Sequence, residues 1–135
     1  MAANTLPIFP RRPRTEGRSW TIADGTTAFS VFTAEATEGS IVSNLNASTG
    51  EALDRTIQGH YKSGLITHRL GSAVVPAGSG WGVVDGKDVL SDLFGSILDA
   101  NGNLLLGAGD EIYISCALAA TSDDISSFLV MGGDY

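Results

Sequence analysis

From Arg18 onward, the apolar residues fall in short, near period-2 segments separated by Gly, Asp and Asn. That punctuation suits strands and leaves no room for a long helix. Trp20 and Ile22 make the first segment, Ala23-Asp24-Gly25 is a turn signal, and Phe29, Val31 and Phe32 make the second. The spacing predicts strands over 18–23 and 28–34. Ile41, Val42 and Leu45 continue the pattern after Gly39, and Leu65 to Val75 supports one long strand or two shorter ones interrupted at Gly71. Further strands are expected over 111–118 and 126–131. Between Ile97-Leu98 and Leu104-Leu105-Leu106, the turn Asp99-Ala100-Asn101-Gly102-Asn103 carries Asn-Gly, a strong short-range hairpin signal.

Only one stretch reads as helical. Within Val84 to Phe94 the apolar pairs Val89/Leu90 and Leu93/Phe94 repeat at four residues, Asp85 or Asp88 can cap, and Gly95 ends the run. Seven to nine short strands, 17 glycines and one short helix point to an all-β chain. The expected architecture is an antiparallel β-sandwich or jelly-roll-like domain rather than alternating βαβ units.

The N-terminal segment differs. Pro7, Pro10 and Pro13 put three of the four prolines within seven positions. Fixed φ and missing donors rule out a helix or a central strand there. The reading is an extended arm over residues 1–17, followed by a single sandwich domain over 18–135. Leu6, Ile8 and Phe9 make this arm apolar enough to lie in a groove, on its own domain or on a neighbour. Residues 1–18 carry Arg11, Arg12, Arg14 and Arg18 against Glu16 alone, a charge of +3, which leaves −10 for the rest of a chain with net charge −7. A basic arm on an acidic body suggests a tether to something acidic. The acidic body argues against nucleic acid, whose binding needs a basic face.

Hydrophobic residues make up 43% of the 135 and charged residues 17%, a balance that supports one buried core rather than disorder. No apolar run approaches the length of a membrane span, and no apolar segment resembles a signal peptide. The lone Cys116 cannot form an intrachain disulfide; on the alternating face with Ile112, Ile114 and Leu118 it reads as a buried structural thiol.

Candidate chemistry is sparse. His60 and His68 are eight apart with no further His or Cys at ligand spacing, so no metal site is expected. There is no Gly-x-Ser-x-Gly elbow, and no catalytic residues or cofactor are assigned. Asp99 to Asp110 partly imitates a calcium loop, but Leu104 stands where the loop needs glycine, and a turn is the better reading. Gly78-Ser79-Gly80-Trp81-Gly82 lacks the Lys-Ser/Thr of a phosphate cradle. It reads as a loop whose Trp81 either packs over the core edge or anchors an interface.

Several short motifs occur in a characteristic order: Ala3-Asn4-Thr5-Leu6-Pro7-Ile8-Phe9-Pro10, Asp24-Gly25-Thr26-Thr27 leading into Val31-Phe32-Thr33-Ala34, and Val75-Pro76-Ala77-Gly78. Asp88-Val89-Leu90-Ser91-Asp92-Leu93, Leu106 to Tyr113 and the closing Met131-Gly132-Gly133-Asp134-Tyr135 complete the series. Together they resemble small tailed-phage virion proteins of the capsid decoration, or cement, type; the stretch Glu51 to Leu70 departs from the pattern. The resemblance implies a non-enzymatic β-sandwich subunit, made in the host bacterial cytoplasm and placed on the capsid surface of the virion. Its expected partners are the major capsid protein and further copies of itself, as a homotrimer. Under this reading Leu6, Ile8, Phe9, Arg11, Arg12, Arg14 and Trp81 contact the capsid or a neighbouring subunit. The alternatives are a tail or fibre-base virion protein, or a carbohydrate-binding module using Trp81, Tyr61 and His60 as stacking groups.

Overall fold

In the computed structural model, residues 12–82 and 84–135 are described. Among them are nine strands: β1 (Arg12–Ser19), β2 (Phe29–Thr33), β3 (Ser40–Thr49), β4 (Arg55–Ser63), β5 (Ile66–Val75), β6 (Lys87–Asp88), β7 (Leu104–Leu106), β8 (Glu111–Cys116) and β9 (Ser126–Asp134). One short helix, α1 (Leu90–Phe94), runs into a 3-10 turn over Gly95–Ile97. The strands form two antiparallel sheets. The first has the order β1-β9-β3, with β7 and β6 sharing the far side of β3; the second has the order β2-β8-β4-β5.

The two sheets stack as the alternation predicts. Val42, Leu45 and Ala47 of β3 and Phe128 and Val130 of β9 point inward, as do Phe32, Ile57, Ile112, Ile114 and Cys116 from the second sheet, and all are buried. These rows make the core of a sandwich whose other faces look outward. The helix packs against β5, β4 and β3, and its Leu90, Leu93 and Phe94 are buried with this core. Two glycines make its close approach possible. A Cβ on Gly59 would lie 2.7 Å from Leu93 Cβ, and one on Gly71 would lie 2.6 Å from the Asp92 carbonyl oxygen.

Several expectations are corrected. The first strand begins at Arg12, not 18, and pairs along its whole length with β9, so the division drawn at residue 17 falls inside it. Pro13 is compatible because β1 is an edge strand. Residues Ile22–Asp24 form a 3-10 turn rather than a strand end, because the Asp24 carboxylate accepts the Thr21 N–H and hydroxyl and an Arg18 bond. Leu65 to Val75 is one strand apart from its first residue, with its interruption visible as a bulge at Leu70 opposite Gly59/His60. The turn at 99–103 forms, with Asp99 Oδ1 accepting the N–H groups of Asn101 and Asn103, yet no strand precedes it; β7 pairs with β3 instead. Leu118 lies past the end of β8 and is exposed.

Candidate docking surfaces

Charge alternates along β1 as Arg12-Pro13-Arg14-Thr15-Glu16-Gly17-Arg18-Ser19, and a strand sends alternate residues to opposite faces. Arg12, Arg14, Glu16 and Arg18 stand in register with Asp134, Gly132, Val130 and Phe128, so all four project to the inner side, toward β2. Arg14 Nη1 donates to Asp134 Oδ1 and to the Thr33 carbonyl, both at 2.9 Å, Nη2 donates to Glu16 at 2.8 Å, and the guanidinium lies 4.3 Å from the Phe32 ring centroid. Arg18 repeats the arrangement with Asp24 at 2.8 Å and Phe29 at 4.5 Å. The result seals one open side of the sandwich, leaving a shallow groove of about 280 Å³ between β1 and β2.

Asp134 is the hub of this seal. Its side chain is 5% exposed and accepts bonds from Ser40 Oγ, Arg14 and Arg12. Burial pushes its carboxyl up, but the Ser40 hydroxyl and the two arginines outweigh that, and the net effect is to hold it below the usual carboxylate range.

The opposite rows are neutral. Thr15, Met131 and Asn44 align across the outer face of the first sheet, as do Gly17, Leu129 and Asn46, then Ser19, Ser127 and Ser48, with Pro13, Gly133, Ile41 and Leu105 at one end. None of these side chains is charged. Leu129 and Met131 are 42% and 46% exposed at its centre.

Trp81 sits in a loop fixed by the Thr49 N–H to Ser79 carbonyl bond and by the Ser79 hydroxyl on the Pro76 carbonyl. It packs over the edge of the core in part, one of the two expectations for it. One side of the indole covers Gly50, where a Cβ would come 3.1 Å from the ring, while the side chain remains exposed. Nearby, buried Glu51 accepts bonds from Arg55 and from the Thr121 N–H and hydroxyl, tying the loop after β8 to the second sheet.

Of the residues singled out from sequence, Arg12 and Arg14 come together on Asp134, and Trp81 lies elsewhere on the surface. Leu6, Ile8, Phe9 and Arg11 fall outside the described residues. Tyr61 donates its hydroxyl to Asp110 at 2.6 Å, and the His60 ring bonds the Ser115 hydroxyl at 2.8 Å. Cys116 is buried in the sheet, and burial together with the charge of Asp24 pushes its thiol up to about 12. Among the described residues, no group of three His, Cys, Asp or Glu side chains is placed to hold a metal ion, and no helix is long and apolar enough to cross a membrane. The neutral face went unmarked in the sequence reading, although the period-2 placement of charge in β1 announces it. Comparison with known proteins returns no matching family model, no matching curated protein and no matching solved structure.

Proposed function

We propose that this chain is a non-enzymatic virion structural protein that binds the outer surface of a phage capsid lattice, with the major capsid protein and further copies of itself as partners. The observation that carries the reading is the uncharged outer face of β1, β9 and β3, bordered by Asp88 of β6 opposite Asn46, on a chain of net charge −7. A face without charged side chains meets another protein surface without desolvating ions, which is the composition of interface cores. The segment with Leu6, Ile8, Phe9 and Arg11 leads directly into β1, at the edge of that face. Many copies on a symmetric lattice then add weak contacts into strong attachment. Of the carbohydrate-stacking trio, His60 and Tyr61 are engaged with Ser115 and Asp110, so the protein-binding reading is preferred.

The test is co-sedimentation with expanded capsids. A variant carrying Leu129→Asp and Met131→Asp, and a second lacking residues 1–11, are both expected to keep the far-UV spectrum of the parent and to lose capsid binding. Undiminished binding by both would sink the proposal, and microscopy of labelled virions separates a head from a tail location.

A further inference from the structure

Across the sandwich from β1, α1 packs at Gly59 and Gly71, and on the hairpin side of those glycines lies an apolar groove of about 400 Å³ lined by Tyr61, His68, Leu70, Ile97 and Leu105. The β4–β5 hairpin extends beside it. Its turn is Gly64 at φ +61°, and both faces of its outer ribbon meet solvent, since Ile66 to Arg69 are four consecutive exposed residues. Leu65 is 98% exposed and Ile66 62%, and Leu65 is the most exposed large apolar side chain among the described residues.

Charge singles out the same hairpin. Of the seven Lys and Arg side chains among the described residues, Arg12, Arg14, Arg18, Arg55 and Lys87 are ion-paired with carboxylates. The remaining two, Lys62 and Arg69, both belong to this hairpin, and the outer edge of β5 there pairs with nothing among the described residues. Exposed apolar side chains beside an open strand edge mark an interaction surface.

We infer that the occupant of the groove is Leu65 and Ile66 of a second copy of this chain. The chain carries both halves of the contact: an apolar knob flanked by Lys62, which lies 5.6 Å from the Tyr113 ring centroid, and Arg69, neither ion-paired among the described residues, and an apolar socket with carboxylates close by at Asp99, two residues beyond Ile97, and at Asp110, which holds Tyr61. Knob and socket lie side by side on one hairpin, Ile66 two residues from His68, so two copies facing each other across a twofold axis can exchange knobs. This names the surface for the self-association proposed above and rests on that reading.

Analytical ultracentrifugation across the micromolar range tests it. The parent chain is expected to form an oligomer, and Leu65→Asp and Leu105→Asp each to weaken association by about tenfold or more, since each removes a buried leucine from the contact. Both residues are exposed in the subunit, so unchanged thermal unfolding is expected for both variants. Mixing the two restores one intact knob and one intact socket, and an equimolar dimer should appear where each alone is monomeric. An oligomer indifferent to Leu65→Asp overturns the inference while leaving self-association in place. A monomeric parent that still co-sediments with capsids overturns it while leaving capsid binding in place. Binding to phosphatidylglycerol vesicles that Leu65→Asp abolishes and Leu105→Asp does not would assign the knob to a membrane and overturn it as well.

Discussion

Where β1 faces β2, the gap between the sheets is spanned by guanidinium groups stacked on Phe32 and Phe29 and held by Asp134 and Asp24. On the β5 side the gap is filled by Leu93 and Phe94 of α1, and the apolar filling stops short and leaves a groove. The contrast shows two ways of finishing a sandwich. Inward-pointing charges and an edge proline discourage a further strand from adding to β1. A hydrophobic plug gives more stability for each residue buried and does nothing to protect the edge beyond it.

The two closures should respond differently to mutation and to pH. Leu93→Ala empties fully buried volume and is expected to cost about 3 kcal/mol, equally at neutral and acid pH, measured by urea unfolding. A loss that shrank on acidification would contradict the apolar account. Asp134→Asn should cost about 2 kcal/mol at neutral pH, because Arg14 loses its buried partner. Here pH matters. The folded carboxyl titrates below its unfolded value, so its stabilisation is complete above the unfolded value of about 4 and fades as pH falls through the depressed folded value. The difference between Asp134→Asn and the parent should therefore close in strong acid. Arg18→Ala is the smallest change, about 0.5–1 kcal/mol, since its pair with Asp24 is partly exposed. Part of that loss should disappear in high salt; identical losses at low and high salt would mean that ring stacking alone holds the edge.

How far the sequence can be read also differs between the two sides. Strands β2, β3, β8 and β9 announce themselves because each sends aliphatic or aromatic residues alternately into one core. On the inner face of β4, by contrast, stand Arg55, Ile57, Gly59 and Tyr61, so a single aliphatic residue marks a strand that is central in its sheet. Its neighbours there are α1 on Gly59 and Glu51 on Arg55, contacts that no local pattern encodes. Arg12 and Arg14 of the expected arm are visible as charge, but their partner Asp134 lies 120 residues away from Arg14, and only the register of β1 on β9 reveals that these two hold their own domain. Leu65 fits the apolar pattern of a strand in the sequence, yet it falls in the turn between β4 and β5, where it is exposed.

That register also sets an order of events. Arg12 meets Asp134 across 122 positions, and Ser40 of β3 meets the same Asp134 across 94, whereas β4 and β5 form from adjacent residues. During synthesis β1 leaves the ribosome long before β9, its sheet partner among the described residues. The β4–β5 hairpin and its pairing with β8 can therefore be complete while β1 is still waiting, and closure of the first sheet is the late, slow step expected of contacts so distant along the chain. Until then the inner faces of Phe29 and Phe32 lack their arginine cover, which makes the interval before β9 arrives the one in which this protein is most exposed to misassembly.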